Sequence, residues 1–220
     1  MNKIKKPKLI IFDLDGTLVE FPIEFMFTKT KHIIEELSHP HVSEEEMMDC
    51  FSDFDFFRFV EKDHREAFLK KFIIDFSHDR WTTLEPFPDT LGVLKNLHQQ
   101  NISLSIATSR VMQVEHLRTA LEKVDFHHYI GHIATREGEH ISFMDKTKQL
   151  EQLFELYQVE PQDCLKIGDI PSDIECAKKA GVGSTVAVLS GKIKEGVLQR
   201  AKPDFIISNI SELPKIILEE

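Results

Sequence analysis

The sequence predicts an α/β protein whose parallel sheet carries an all-helical insertion after the first strand. Short apolar runs alternate with helical patterns along most of the chain, as in parallel strands joined by crossover helices. The first run, Leu9–Phe12, is wholly apolar, which is typical of a strand buried on both faces. Residues 21–84 interrupt the alternation, because they show no convincing strand and place phenylalanines at helical spacing. We therefore expect a core of residues 1–20 and 85–220 and a helical insert of residues 21–84.

The order of elements after the insert is regular. Strand-like runs recur at Ile102–Ala107, Cys164–Ile167, Ser184–Leu189 and Phe205–Ile207. Helical patterns between them cover Thr90–Gln99, Gln113–Val124, Lys146–Tyr157 and Ile174–Ala180. Within the insert, Ser43 is followed by three glutamates. This pattern predicts a capped helix start, since acids in the first turn interact favourably with the helix dipole.

The composition restricts the class of partner. A formal charge of −10 argues against a general nucleic-acid surface, which needs clustered Lys and Arg, but it is compatible with a small anionic substrate. Three cysteines without metal-ligand spacing favour a reducing compartment. The apolar run after the basic start is too short for a signal peptide, and no segment has the length of a membrane span. We expect a cytoplasmic protein that binds neither nucleic acid nor membranes, with monomer and homodimer both open.

An acidic pair follows the first predicted strand, in the sequence Asp13-Leu14-Asp15-Gly16-Thr17. Ligands of open α/β sheets bind at the carboxyl ends of strands, so these side chains lie where a site is expected. Gly16 lets the chain turn sharply after Asp15. One carboxylate can then attack or bind a metal while the other exchanges protons. A surface turn and an EF-hand loop are the alternatives, although Gly16 comes too early for the latter.

Two later segments offer groups that bind an anion. Thr108 and Ser109 follow the second strand, where a hydroxyl and backbone N–H groups can form an anion seat, although Ser and Thr also cap helices for structural reasons. Lys146 opens a predicted helix, a position that disfavours a cation, and such violations are expected at functional sites. A solvated surface lysine is the alternative for Lys146.

A second group of carboxylates follows the strand Cys164–Ile167, in the sequence Gly168-Asp169-Ile170-Pro171-Ser172-Asp173. Magnesium takes oxygen ligands and usually keeps several waters. Asp169 together with the first acidic pair would leave room for water and substrate phosphate around such an ion. Asp173 could also be the N-cap of the helix that follows.

Four motifs therefore stand in order: DLDGT, Thr-Ser, an isolated lysine and GDIPSD. Together they closely resemble the haloacid dehalogenase-like (HAD) hydrolase superfamily, and the resemblance extends over nearly the whole chain. It implies a Rossmann-like parallel sheet. It also implies that the helical insert is a mobile cap, as in phosphoglycolate-phosphatase-like members. The short stretch 110–145 leaves no room for the larger cap that some relatives carry there.

The resemblance also implies a role for each motif residue. Asp13 would be the nucleophile and a Mg²⁺ ligand, and Asp15 would protonate the leaving alcohol and then activate water while its backbone carbonyl contacts the metal. Thr108, the N–H of Ser109 and Lys146 would hold the phosphoryl oxygens. Asp169 would bind Mg²⁺, and Asp173 would orient metal-bound water or Lys146. This division suits phosphoryl transfer, which needs in-line placement and charge neutralisation.

The leading functional hypothesis is a Mg²⁺-dependent phosphatase acting on a small phosphorylated metabolite through an aspartyl-phosphate on Asp13. A phosphosugar mutase or phosphonate hydrolase on the same core is an alternative, and a non-catalytic phosphate-sensing domain is another. Dehalogenase activity fits less well, because Asp15 supplies an acid–base group that halide displacement does not need. Candidate contacts to the leaving group are Glu20, Phe21, Arg58, Lys62, Arg65 and Trp81.

Overall fold

The fold is a six-stranded parallel sheet with helices on both faces. The computed structural model describes residues 3–37, 42–77, 83–136 and 145–217, apart from the side chains of residues 73–77. The strands are β1 (Leu9–Phe12), β2 (Ser103–Ala107), β3 (Ile130–Ala134), β4 (Cys164–Gly168), β5 (Ser184–Val188) and β6 (Phe205–Ile207). Their order is β3-β2-β1-β4-β5-β6, and every pairing is parallel. The predicted α/β class is confirmed.

The central strand β1 divides its side chains between two hydrophobic layers. The core helices are α4 (Thr90–Gln99), α5 (Val114–Glu122), α6 (Thr147–Tyr157), α7 (Pro171–Lys179), α8 (Glu195–Arg200) and α9 (Leu213–Ile216). Ile10 and Phe12 belong to the layer formed with α4 and α5, whereas Leu9 and Ile11 pack with α6 and α7. This alternation follows from the two-residue period of a strand. It leaves β1 buried on both faces, as its apolar sequence predicts.

Strand β3 was missed in the sequence. It lies at one edge of the sheet, and two of its five residues, Gly131 and His132, are exposed. An edge strand needs no continuous apolar run, so the pattern that identified the buried strands is absent there.

Three predicted helix starts differ from the structure, and the helix predicted from Gln113 begins one residue later, at Val114. The helix predicted from Ile174 begins at Pro171, a residue whose fixed φ suits the first helical position. Ile170 is therefore the N-cap, and Asp173 lies in the first turn instead of capping the helix. Lys146 is the N-cap residue of α6, so the helix itself starts one residue later than predicted.

The described part of residues 21–84 contains three helices and no strand: α1 (Ile23–Glu36), α2 (Glu44–Ser52) and α3 (Arg65–Ser77). Helix α2 begins with the capping box predicted at Ser43. Helices α1 and α3 pack together. Apolar side chains of the insert also form one cluster with core residues, among them Ile174, Ile193 and Leu198. The division into core and cap stays a prediction.

The two chain segments that join the insert to the core run side by side. Val19 pairs with Pro86 in an antiparallel bridge, and the N–H of Glu20 donates to the carbonyl of Glu85 at 2.7 Å. Both segments lie near the end of β1, so the insert is positioned beside the carboxyl edge of the sheet. Within the described ranges, no helix combines the length and apolar character needed to cross a bilayer.

Candidate active site

Three aspartates meet at the carboxyl edge of the sheet. Asp13 directly follows β1, and its N–H donates to the carbonyl of Ile167 on β4 at 2.8 Å. Asp169 follows β4, and Asp173 lies in the first turn of α7. Each residue offers a carboxylate oxygen, and these three oxygens lie within 4.8 Å of one another. All three aspartates are buried. We call this set the aspartate cluster.

Two buried lysines balance part of this charge. Lys146 Nζ lies 2.6 Å from Asp13 Oδ1 and 2.8 Å from Asp173 Oδ1. Lys166 Nζ lies 2.9 Å from Asp173 Oδ1 and donates to the carbonyl of Ile167 at 2.8 Å. Lys146 is thus directed at the predicted nucleophile, while Lys166 supports Asp173 from within strand β4.

Burial and neighbouring charges shift the pKa values of the aspartate cluster in different directions. Burial raises the pKa of Asp13 despite the nearby ammonium of Lys146. The pKa of Asp169 is raised well above its usual value by burial and by the charges of Asp13 and Asp173. Burial opposes ionisation of Asp173 as well, but two lysines hold its pKa below the usual range. The same pairing raises the pKa of Lys146, although burial alone would lower it.

Glycines let the backbone approach the Asp169 carboxylate closely. Gly16 has φ +77°, and a Cβ there would lie 2.3 Å from Asp169 Oδ2. A Cβ at Gly191 would lie 1.9 Å from the same oxygen. Thr17 Oγ1 also donates to Asp169 Oδ1, over 3.4 Å. Gly16 and Gly191 therefore form a cradle that any larger residue would fill.

Asp15 is not a member of the aspartate cluster, and its side chain pairs with Arg110. Arg110 Nε and Nη2 donate to the two carboxylate oxygens of Asp15 at 2.8 and 2.6 Å. The side chains of Asp15 and Arg110 are 14% and 9% exposed. Two parallel bonds from one guanidinium fix the plane of a carboxylate. Asp13 and Asp15 therefore face different neighbours, as a division of roles requires.

The predicted anion seat lies at the end of β2. The N–H of Thr108 is already used, since it donates to the carbonyl of Ala134 at 3.0 Å, and Thr108 Oγ1 accepts from the N–H of Arg110 at 3.2 Å. Ser109 Oγ is buried and has no partner among the described residues. The hydroxyl of Ser109, which the sequence did not single out, is therefore an additional group for binding an anion.

The aspartate cluster has the composition of a site for a hard divalent cation. Its three carboxylates exceed the two ammonium groups of Lys146 and Lys166 by one charge. Asp173 Oδ2 is buried and has no hydrogen-bond partner among the described residues. Oxygen-only donors suit such an ion. A bound cation therefore fits the residues present.

A cleft of about 720 Å³ opens between the core and α1. Among its lining residues are Glu20 and Phe21, as predicted for leaving-group contacts, and Arg110, which joins the cleft to Asp15. Of the other predicted contacts, Arg58 pairs with Asp53 at 2.7 Å and Arg65 lies over the ring of Phe57, whereas Trp81 falls outside the described residues. Lys62, in the short turn before α3, is not among the lining residues of this cleft.

Two functional candidates were missed in the sequence. Arg110 was not singled out in the sequence, although its position after β2, next to β1, places it near Asp15. Lys166 interrupts an otherwise apolar strand, and a buried lysine requires a partner. That interruption was the signal for its role.

Comparisons with known proteins agree with this geometry. Residues 10–188 match the family model of the haloacid dehalogenase-like hydrolases, so the chain belongs to that family. It is 29% identical over 218 residues to a protein from Caldanaerobacter subterraneus subsp. tengcongensis named as a candidate pyrophosphatase, PpaX, with 94% of this chain and 93% of that protein covered. Pyrophosphatase PpaX from Bacillus cereus is 24% identical, with 94% of this chain and 95% of that protein covered.

Solved structures show the same fold. A predicted phosphatase from Clostridium acetobutylicum superimposes with a TM-score of 0.75 at 19% identity, over 95% of this chain and 97% of that one. A haloacid dehalogenase-like family hydrolase from Streptococcus pneumoniae superimposes with a TM-score of 0.72 at 20% identity. The match covers 96% of this chain and 98% of that one. The predictions of family and of a phosphatase-type hydrolase are confirmed at this level.

Proposed function

We propose that this protein is a Mg²⁺-dependent phosphatase that hydrolyses a small phosphomonoester through an aspartyl-phosphate on Asp13. The observation that carries the proposal is the position of Asp13, which is buried at the carboxyl edge of the sheet with Lys146 Nζ 2.6 Å from Oδ1. An ammonium at that distance stabilises the negative charge that gathers around the transferring phosphoryl group. The family membership supports the same reaction class.

In the first step, a carboxylate oxygen of Asp13 bonds to phosphorus while the bond between phosphorus and the ester oxygen breaks. Asp15 gives a proton to the departing oxygen. In the second step, water attacks the phosphorus, Asp15 accepts a proton from that water, and the bond to Asp13 breaks. Dividing the hydrolysis in this way is covalent catalysis. Arg110 fixes the orientation of the Asp15 carboxylate for both proton transfers.

The magnesium site would consist of the carboxylates of Asp13 and Asp169 and the backbone carbonyl of Asp15, with Asp173 adjoining. When bound, Mg²⁺ neutralises charge on the phosphoryl oxygens. Lys146 and the groups at Thr108 and Ser109 would hold the remaining oxygens. Asp173 keeps Lys146 in place, since its Oδ1 lies 2.8 Å from Nζ.

The test compares phosphate release from p-nitrophenyl phosphate and a panel of sugar phosphates, with Mg²⁺ or with EDTA. We expect release that requires Mg²⁺ and is lost in Asp13→Asn. Asp163→Asn is a matched control, because Asp163 pairs with Lys8 at the opposite edge of the sheet. Undiminished release by Asp13→Asn would disprove the assigned nucleophile. Interconversion of sugar phosphate isomers would indicate a mutase, and tight phosphate binding without turnover would indicate a sensing domain.

Pyrophosphate hydrolysis is a second candidate, because the PpaX relatives are named pyrophosphatases and the similarity extends over nearly their whole length. Among its described residues, however, the cleft beside Asp15 is lined by three glutamates and two cationic side chains, Arg110 and Lys192. A second phosphate would meet repulsion there. We therefore propose a phosphomonoester with an uncharged, polar leaving group. A higher kcat/KM for pyrophosphate than for every monoester would make pyrophosphate the preferred substrate. Asp13 would still be the nucleophile.

A further inference from the structure

A second group of potential metal ligands lies far from the aspartate cluster, in the turn between α5 and β3. Asp125, His127 and His128 each offer one ligand atom, and these atoms lie within 4.8 Å of one another. The sequence did not predict this group, because its histidines are adjacent instead of one helical turn apart. Both histidines lie in the 3-10 turn Phe126–His128, which Asp125 directly precedes.

The backbone of this turn is well defined. Asp125 has φ +61°, a left-handed conformation that Asp adopts more readily than most residues. Phe126 is fully buried and anchors the turn, and the N–H of Tyr129 donates to the carbonyl of Phe126 at 3.0 Å. Asp125 is the N-cap of the 3-10 turn, so it directly precedes the segment that carries both histidines.

One polar atom of this group has no hydrogen-bond partner among the described residues. That atom is His127 Nδ1, which is buried. A buried imidazole nitrogen without a partner is costly, and a metal ion would use its lone pair. The rings of His127 and His128 have centroids only 3.8 Å apart. The two imidazoles are therefore neighbours at this turn, and both belong to the group of potential ligands.

The donors also indicate the kind of metal. Imidazole nitrogen suits zinc, nickel, copper and iron, while magnesium prefers oxygen ligands alone. Two histidines and one carboxylate supply three ligands to a tetrahedral zinc site and leave a fourth position for water. The turn precedes β3, so it lies at the amino edge of the parallel sheet, opposite the carboxyl edge that carries Asp13.

We infer that Asp125, His127 and His128 form a binding site for a divalent transition metal of the zinc class, separate from the magnesium site. The ion fastens the connection between α5 and the edge strand β3. This inference does not depend on the proposed phosphatase reaction, since none of the three residues lies at the carboxyl edge of the sheet.

The test measures binding of Zn²⁺ and Co²⁺ to the full chain, without an affinity tag and in excess Mg²⁺, which occupies the oxygen-ligand site. We expect one tightly bound Zn²⁺ per chain and a Co²⁺ absorption spectrum typical of nitrogen ligation. At a free Zn²⁺ concentration about 100 times Kd, the melting temperature should rise by roughly 5–10 °C. Phosphate release from p-nitrophenyl phosphate in Mg²⁺ should be unchanged by the substitutions below.

His127→Gln and the exposed His128→Gln should each lose the Co²⁺ spectrum and the Zn²⁺-dependent rise in melting temperature. His116→Gln, which removes an exposed histidine of α5 outside the group, should retain both. His128→Gln keeps the test decisive if His127→Gln does not fold. Equal Zn²⁺ binding in His128→Gln and the unmodified chain, or no Zn²⁺ binding in the presence of Mg²⁺, would overturn the inference.

Discussion

Two groups of lysine–aspartate contacts in this protein have nearly equal lengths but different surroundings. Lys146 and Lys166 meet Asp173 at 2.8 and 2.9 Å, and all three side chains are at most 1% exposed. Lys194 meets Asp53 at 2.6 Å, with side chains 50% and 30% exposed. The first group lies under the predicted phosphate seat, whereas the second joins the start of α8 to the end of α2 in the helical insert. Distance alone therefore does not distinguish their roles.

Burial does distinguish them. Removing one partner of a buried ion pair leaves an uncompensated charge in a low dielectric, so such groups are kept in one arrangement. An exposed pair is weakened by solvent and salt, and it can break and form again at little cost. The buried group suits a rigid phosphoryl site. The exposed group would suit a contact that opens, if the insert is the mobile cap that the sequence predicts.

The largest expected effect is on catalysis by Lys146→Met. Loss of the ammonium beside Asp13 should lower kcat by about 100- to 1,000-fold, the usual range for removing one group that stabilises transition-state charge. The measurement is steady-state hydrolysis of p-nitrophenyl phosphate at saturating Mg²⁺, with folding checked by circular dichroism. A folded variant with unchanged kcat would mean that Lys146 is only a structural partner of Asp173.

Lys166→Met should act mainly on stability. Lys166 contacts Asp173 and the Ile167 carbonyl but none of the predicted reacting atoms, so its loss leaves Asp173 with Lys146 alone. We expect the free energy of unfolding to fall by about 3 kcal/mol, measured by urea titration, with a smaller loss of kcat than in Lys146→Met. No loss of stability would show that the methionine side chain packs as well as the ion pair it replaces.

Arg110 is intermediate in burial and tests whether geometry or charge supports Asp15. Arg110→Lys retains the positive charge but cannot make two parallel bonds to one carboxylate. We expect kcat to fall by roughly 10- to 100-fold through misplacement of the acid–base group. Full activity in Arg110→Lys, with loss in Arg110→Met, would show that charge alone is sufficient.

The smallest effect should come from Lys194→Met. Its side-chain contacts are exposed, so the urea midpoint should change little. The N–H of Lys194 donates to the carbonyl of Ser52 at 2.9 Å, and amide hydrogen exchange at this position reports on the contact between insert and core. Exchange should be faster in Lys194→Met and, in the unmodified chain, at high salt. A destabilisation as large as that of Lys166→Met would contradict the distinction between the two groups.

The buried strands and the carboxyl-edge motifs could be predicted because burial on both faces leaves a continuous apolar run, and polar residues then mark where each run ends. Strand β3 lacks that signal, since exposed Gly131 and His132 interrupt it at the sheet edge. The pairing of Asp15 with its cationic partner could not be predicted either. It depends on Arg110, which is 95 residues distant in sequence and approaches only when β1 and β2 pair.

The proposed metal site at Asp125, His127 and His128 was also missed in the sequence. Neighbouring histidines do not converge in an α-helix or a strand, so His127 and His128 gave no metal pattern in the sequence. Their approach depends on side-chain orientations beside the buried Phe126, which a hydrophobic pattern does not indicate.

The central claim is that Asp13 carries the phosphoryl group, and trapping that intermediate tests it most directly. The enzyme is mixed with p-nitrophenyl phosphate and Mg²⁺, quenched in acid within the first turnovers, digested and analysed by mass spectrometry. The account predicts one phosphoryl group on the peptide that contains Asp13, removable by hydroxylamine as an acyl phosphate and missing in Asp13→Asn. Active turnover with the phosphoryl group on a different residue would contradict it.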